Sequence, residues 1–443
     1  MEVVLGVDVG TTAIKAVATG LDGAIVSTAS RPTPWRHDGP HFDIDPTLLA
    51  DTVIAVLVEA ARTAQGTVVG IGVTGIAETG ILLDRHGHPC APALAWFDPR
   101  GDAAPVRAVV SDREFRCATG MRLNSKPSLA KILWLRAHVP TAHDAVVHLG
   151  VGDWIVHALG GRQSAEVSVA SRSALMDVTT SQAWAPAIDL VGDLLPGERV
   201  WAGDALGTVG PDGPLELRGA VLTNAGHDHQ TACLLAGAAH PGVLFDSIGT
   251  AEALIRIVPG ALSVDQVDAM TDADINVGQT VVRDHQVLLA GRLTGLSLER
   301  ISSLLGATTR EQRTALGARA VDVVRDDSFP RLVDVGNDHL TITDVTDGIT
   351  PEVMWRAAVE DLVELAARPL EVMAQVAGPH DSSVLVGGWI RNPMLAQAKE
   401  RNLGAYRVLD VAEPGAVGAA FLGAVAAGRA PLPKAGEVPH WAS

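Results

Sequence analysis

The sequence predicts an α/β protein built from two related halves, and three observations predict it. The first is the opening stretch Val3-Val4-Leu5-Gly6-Val7-Asp8-Val9-Gly10-Thr11-Thr12-Ala13-Ile14-Lys15-Ala16-Val17, in which two β-branched runs flank a Gly-Thr-Thr turn. That is the pattern of a hairpin packed on one side. The second is its echo half a chain later, Val243-Leu244-Phe245-Asp246-Ser247-Ile248-Gly249-Thr250-Ala251, again an apolar strand, an Asp and a Gly-Thr turn. The third is the length of 443 residues, too great for one ordinary hydrophobic core. His240-Pro241-Gly242 is a strong stop between the copies, so the domains are set at 1–240 and 241–443.

The remaining elements follow in order. Asp22-Gly23 is a turn and Ile25 to Thr28 a third antiparallel strand. A helix is predicted from Pro46 or Thr47 to about Ala64, with Leu48, Leu49, Val53, Val56 and Leu57 as its apolar stripe. Val68 to Thr74 reads as a buried strand opening into a loop, Gly75 to Gly80, that carries Glu78. Ile81–Asp84 and Ala93–Trp96 read as strands, and Pro105 to about Ala158 as helical. Asn224 to Gln230 precedes an Ala/Leu helix. The second half carries helices at Leu296–Leu305, Thr309–Ala320, Pro351 to about Val376, Pro393–Leu403 and Ala416–Ala427, with strands at Ser383–Val386 and Val408–Val411. The tail from Arg429 reads as loosely held.

Composition excludes several classes of function. A formal net charge of -17 repels phosphate backbones and anionic membrane surfaces, so neither nucleic acid nor a membrane is an expected partner. No apolar run has the length and purity of a membrane span and no basic leader precedes the first strand, which reads as a soluble, cytoplasmic protein. Cys90, Cys117 and Cys233 form no Cys-x-x-Cys pair, so all three are expected reduced and buried.

The opening turn has the chemistry of a phosphate cradle. Gly10 allows backbone amides to approach an anion, Thr11 and Thr12 add hydroxyls, and Lys15 adds a positive charge. Asp8, at the end of a buried run, is costly there without a cation or donors, and a hydrated Mg²⁺ is its natural companion. An ordinary Gly-Thr hairpin with a capping Asp explains the same residues equally well. The stretch is neither a Walker A loop nor a Gly-x-Gly-x-x-Gly fingerprint.

Taken together, Gly6 to Thr12 with Lys15, Trp96-Phe97-Asp98-Pro99-Arg100, Gly226-His227-Asp228, Ser247 to Thr250, Gly387-Gly388 through Asn392 and Gln397, and Glu413 to Ala420 resemble the FGGY carbohydrate kinases in order and spacing. The resemblance covers nearly the whole chain. It implies two ribonuclease H-like domains of the actin, hexokinase and Hsp70 type with a catalytic cleft between them, and ATP and Mg²⁺ as cofactors. It makes Asp228 the carboxylate that accepts the proton of the attacking sugar hydroxyl; a helix cap is the alternative for the same residue. It assigns Gly10, Thr11, Thr12, Lys15, Gly249 and Thr250 to phosphate, and Gly295, Glu299, Gly387, Gly388 and Asn392 to the rest of the nucleotide. Asp8 is implied as the metal-positioning residue, and Glu78, Trp96, Asp98, His227 and Asp228 as substrate contacts. Hinge closure is expected to bring Thr250 and Gly388 toward Asp228 and Asp8 and to exclude water.

The partners implied are a small sugar, polyol or sugar acid and ATP, with a homodimer left open. The sequence also departs from the family pattern. Ala77 precedes Glu78 where glycerol kinases carry the Arg of an Arg-Glu pair, and the Met-His-Gly loop of xylulokinases is absent. The loop looks most similar to fuculokinase-like and uncharacterised subgroups. Glu166 stands in place of a common Asp, Arg401 and Asn402 replace an acid-bearing stretch, and Phe329–Thr350 lacks the usual motif. Two rival functions use the same residues: a catalytically silent sugar-sensing module that binds ATP, and an actin- or Hsp70-like ATPase with no small acceptor.

Overall fold

The computed structural model describes residues 1–325, 329–335, 339–433 and 437–442. Residues 336–338 of the Phe329–Thr350 departure, and 434–436 and 443 of the tail, lie outside the described residues. The chain folds into two compact units, Met1–His240 with Val258–Val287 and Val411–Ser443, and Pro241–Ile257 with Leu288–Asp410. This composition differs from a linear division at 240/241, because two later stretches pack with the first unit. The first is tied in by charge, Asp268 accepting from Arg113 (2.8 Å) and Arg116 (2.8 Å), and by the Val277 amide donating to the Gly120 carbonyl. The second is tied in by a helix, described below.

The first unit is built on β1 (Glu2–Val9), β2 (Ala13–Thr19), β3 (Ile25–Pro32), β4 (Thr67–Gly75) and β5 (Val221–His227). Their order is β5-β4-β1-β2-β3, with β5, β4 and β1 parallel and the hairpin strands antiparallel. Register decides what meets at the strand ends: Asp8 lies opposite Thr74 on one side and Lys15 on the other, and Thr74 lies opposite Gly226. The carboxyl ends of parallel strands thus gather polar residues on a buried sheet, as ligand sites in α/β proteins do.

Local sequence explains the elements around this sheet. Helix Pro46–Ala64 starts where Asp45 accepts from the Thr47 and Leu48 amides, with Pro46 in its first turn. It buries Leu49, Val53, Val56, Leu57 and Ala60. Leu48, expected in that stripe, is exposed instead, because the stripe is centred one residue further along. The region expected to be helical from Pro105 to Ala158 is interrupted by a strand, Val147–Gly150, antiparallel to Gly80–Leu83. The other face of the sheet receives helix Pro414–Ala426, whose small residues approach backbone to backbone: a Cβ on Gly72 would lie 1.8 Å from the Ala419 carbonyl oxygen. Glycine at that position is a requirement of the close approach.

A second sheet, most of it in the second unit, contains β6 (Val243–Ile248), β7 (Glu252–Pro259), β8 (His285–Arg292), β9 (Ser382–Val386) and β10 (Tyr406–Val408), in the order β8-β7-β6-β9-β10 with Asn276–Gln279 beside β8 at the edge. β6 and β7 form the antiparallel hairpin that echoes β1 and β2, and β9 and β10 run parallel to β6. Helices Thr294–Leu304, Arg310–Ala320, Pro351–Ala377 and Pro393–Leu403 pack around Ile248, Trp355, Val359, Leu362 and Met394. Among the described residues no helix is long and apolar enough to cross a membrane.

Candidate active site

In the first unit the Gly-Thr-Thr turn is braced by side chains from elsewhere. Trp96 Nε1 donates to Thr11 Oγ1 (2.9 Å), Trp35 Nε1 to the Thr11 carbonyl (2.7 Å), and Thr33 Oγ1 to the Gly10 carbonyl (2.7 Å). Trp96 therefore lies against the turn assigned to phosphate, and Lys126 sits over its ring at 5.6 Å. Lys15 is paired with Glu413, donating to its two oxygens at 3.0 and 2.8 Å. Glu413 has a left-handed backbone (φ 54°) at the start of helix Pro414–Ala426, and nothing local in the sequence marks it as a partner of Lys15.

That helix start also faces Asp8: a Cβ on Gly415 would lie 2.6 Å from Asp8 Oδ2. Asp8 Oδ1 is buried without a hydrogen-bond partner among the described residues. Burial first, and then the charge of Asp228, push the Asp8 carboxyl up to about 7, with Lys15 opposing and Glu413 adding to the rise. A buried carboxylate with an orphaned oxygen and a second acid acting on it is a locus for a cation.

Asp228 is the first residue of helix Asp228–Leu235, directly after the end of β5. His227 occupies the N-cap position and makes no side-chain cap bond, so Asp228 is the first helical residue and not the N-cap. Its carboxylate accepts from the His229 amide at 2.6 Å. His227 Nδ1 lies 3.6 Å from Asp228 Oδ1 and is otherwise buried without a partner among the described residues, and burial holds its imidazole below the usual histidine range. His229 lies beside it, with ring centroids 5.6 Å apart.

Glu78 has a left-handed backbone (φ 58°), and its Oε1 accepts from both Nε (2.9 Å) and Nη2 of Arg172. Glu78, preceded by Ala77, thus has an arginine partner 94 residues away. Both charges also act on His227. Asp98 is fully buried and committed to the loop: it accepts from the Phe42 amide, from the Arg100 amide (2.7 Å) and from the Arg100 guanidinium at 2.9 and 2.8 Å. Burial raises its carboxyl, but these bonds hold it below the usual range. They leave its oxygens no place for a ligand.

In the second unit Gly249 and Thr250 form the exposed β6–β7 turn. Gly295 packs on that turn, where a Cβ would lie 1.7 Å from the Gly249 carbonyl oxygen, and the Leu296 amide donates to the Thr250 carbonyl (2.8 Å). Gly387 (φ 113°) approaches the Ile248 carbonyl in the same way, while Gly388 faces open space. Asn392 is nearly buried and caps helix Pro393–Leu403, accepting from Met394 and Leu395 amides and donating to the Arg313 carbonyl (2.8 Å). Glu299 is exposed and pairs with Arg313 at 3.3 Å. So Gly249, Thr250, Gly295 and Gly387 come together, and Glu299 and Asn392 meet Arg313 instead.

Beneath the same turn lies a cluster that sequence reasoning missed. Lys399 donates to Asp246 Oδ2 (2.7 Å) and to Glu252, and Thr294 Oγ1 donates to Glu252, all of them buried. Burial raises the Asp246 carboxyl to about 7; burial acts on Glu252 as well, but Lys399 holds that carboxyl below its usual range.

The arrangement has the fold of sugar kinases. Xylulose kinase from Rhodospirillum rubrum superposes with a TM-score of 0.87 at 23% identity, covering 98% of this chain and 92% of that one. A Plasmodium falciparum glycerol kinase crystallised with ADP gives 0.84 at 18% identity, covering 96% and 90%. In sequence, residues 3–195 match the N-terminal domain of the FGGY family of carbohydrate kinases. A glycerol kinase of Alkalilimnicola ehrlichii is 27% identical over 97% of this chain and 91% of its own length. The L-fuculokinase of Escherichia coli K12 is 27% identical over 95% and 92%. Residues 3–195 thus carry the likeness to the FGGY family of carbohydrate kinases, and the two curated relatives extend the likeness to kinases over nearly the whole chain.

Proposed function

We propose that this chain transfers the γ-phosphoryl group of Mg-ATP to a hydroxyl of a small sugar or polyol. The observation that carries the reading is the meeting, in the first unit, of a braced Gly-Thr-Thr turn, a lysine, the buried Asp8 with its orphaned oxygen and Asp228 at the carboxyl ends of parallel strands. The glycerol kinase and L-fuculokinase relatives support the reaction class. The Plasmodium falciparum glycerol kinase, crystallised with ADP, supports the nucleotide.

In this reading Asp228 orients the acceptor hydroxyl and takes its proton as the phosphoryl group moves. A weak base suffices, because a loose transition state places the demand on alignment and lets the proton leave late. Thr11, Thr12 and Lys15 hold the transferred phosphoryl, and Lys15 exchanges part of its bond to Glu413 for the incoming anion. Glu78 with Arg172, and His227, face the acceptor. Gly249, Thr250, Gly295 and Gly387 are assigned to the nucleotide, with Gly388 leaving room for it. Asp98, Asn392 and Glu299 hold their loops and helices through the bonds described.

The residues present fit a hydrated Mg²⁺. Asp8 offers an orphaned buried oxygen with a second acid beside it. Among the described residues no group of three or more His, Cys, Asp or Glu side chains forms a cage. Magnesium is commonly held by one or two carboxylates, waters and substrate phosphates, and when bound it would neutralise charge on the phosphates.

The test is an ADP-release assay over glycerol, L-fuculose, D-xylulose and related ketoses, alditols and aldonates, with Asp228→Asn in parallel. Acceptor-stimulated release by the wild type, lost in the folded variant, is the expected result. Retained turnover in Asp228→Asn removes Asp228 from its role. Release without any acceptor favours an ATPase, and none across the panel favours a sensing module.

A further inference from the structure

Asp228 must be aligned closely, and the hydrogen bond its carboxylate accepts is from a backbone amide, that of His229. Its placement is set by the end of β5, and that end is irregular. The register against β4 shifts between Asn224 and Gly226, and Gly226 has φ +85°. A regular strand would not deliver the next residues in the same direction.

Behind this bulge run two buried hydrogen-bond chains. Asn224 Oδ1 accepts from the Gly226 amide (2.9 Å), and its Nδ2 donates to Asp153 Oδ1 (2.7 Å). Ser168 Oγ accepts from the His227 amide (3.0 Å) and donates to Glu166 Oε2 (2.6 Å), which also accepts from the Val169 amide (3.0 Å). The Glu166 amide donates to Asp153 Oδ1 (3.2 Å), joining the two chains. Ser168, Glu166 and Asn224 have no exposed surface, and Glu166 Oε1 has no partner among the described residues. A Cβ on Gly226 would lie 2.7 Å from Ser168 Oγ, so bulge and hydroxyl are in contact.

This arrangement is expensive. Burial of two acids with no paired cation among the described residues costs stability that apolar packing would not. What it provides is a fixed direction for one peptide group, the amide of His227, immediately before Asp228. We infer that Ser168 and Glu166 are positioning residues for Asp228: the serine hydroxyl fixes the His227 amide, and Glu166 fixes the hydroxyl. The inference rests on the reading of Asp228 as proton acceptor. Glu166 acts here as an acceptor, so an uncharged amide can replace it.

The experiment is steady-state kinetics on the full chain with the acceptor selected by the ADP-release panel. Amide hydrogen exchange over residues 225–230, which needs no acceptor, runs alongside. Ser168→Ala is expected to lower kcat about 100-fold, the scale of an ångström of misplacement, with KM for ATP and acceptor within about twofold. Exchange at 225–230 should rise. Ser168→Thr restores most of the kcat, Glu166→Gln keeps it, and Glu166→Leu behaves like Ser168→Ala. If Ser168→Ala fails to fold, Ser168→Cys takes its place. A kcat within about twofold of wild type for the hydroxyl-less variant, or unchanged exchange, overturns the inference. Asp228→Asn separates the two readings: if it is inactive while Ser168→Ala is normal, the positioning role alone falls, and if Asp228→Asn turns over, the reading of Asp228 falls first.

Discussion

Each compact unit buries a pair of carboxylates, and the two pairs are solved differently. In the first unit Asp153 and Glu166 meet an asparagine, a serine and backbone amides, with no cation among the described residues. Burial pushes them up to about 7 and about 8, so the charge is suppressed by a retained proton. In the second unit Asp246 and Glu252 share Lys399, which burial would discharge but its two partners hold charged. The contrast teaches that a buried acid pair can be stabilised by a proton that leaves with rising pH, or by an ammonium fixed in the chain.

The largest effect should come from removing that ammonium. Lys399→Met leaves two carboxylates without their cation and is expected to cost about 3–5 kcal/mol in urea denaturation. Adding Asp246→Asn and Glu252→Gln should return a good part of it. A loss under about 1 kcal/mol would break the comparison, because the pair would then be as weakly coupled as a surface one.

A smaller effect, of a different kind, belongs to the first unit. The folded-state values of Asp153 and Glu166 lie above those of an unfolded chain, so the native state binds more protons in between. Their stabilisation is complete below about pH 4, declines as pH rises, and is gone above the folded-state values near 7 and 8. The slope is at most about 1.4 kcal/mol per pH unit for each group. Glu166→Gln should flatten this decline and raise the urea midpoint at pH 8 relative to wild type. In the second unit, raised Asp246 adds to the decline and lowered Glu252 opposes it, so substitutions there should change the slope less. A wild-type midpoint independent of pH from 5 to 8 would contradict the proton-holding account of the first pair.

The smallest effect on stability is expected at Lys15 and Glu413, whose side chains are each about two-fifths exposed. Lys15→Met should change the unfolding free energy by no more than about 1 kcal/mol, while raising KM for ATP about tenfold, equivalent to about 1.4 kcal/mol of binding. If KM is unmoved, the lysine is a surface ion-pair partner only.

What was legible in the sequence depends on how far apart the interacting residues are. The β1–β2 hairpin, its echo at Val243 and helix Pro46–Ala64 follow from local periodicity and an Asp45-Pro46 start. The end of β5 was not legible as strand, because Thr223-Asn224-Ala225-Gly226-His227 has no apolar alternation. Its pairing is supported by Thr74 Oγ1 donating to the Gly226 carbonyl (2.6 Å) and by the side-chain bonds behind the bulge. Strand Val147–Gly150 was hidden inside a helical-looking run for a similar reason, its partner lying near residue 80. Asp8, Thr11, Lys15 and Asp228 were visible as candidates in their local motifs. Arg172, Glu413 and Ser168 were not, since their partners lie 94, 398 and 59 residues away and no local pattern encodes such a pairing.

The helix Pro414–Ala426 carries one more consequence, for the order in which the molecule is made. The glycine-bearing face of β1 and β4 leaves the ribosome more than three hundred residues ahead of the backbone it is shaped to receive. The second unit, spanning Pro241–Ile257 and Leu288–Asp410, has been translated in full before that segment emerges. Until then the first sheet, all of whose strands are made by His227, has one face without its helix, and the nascent chain offers that surface to holding chaperones or to wrong neighbours.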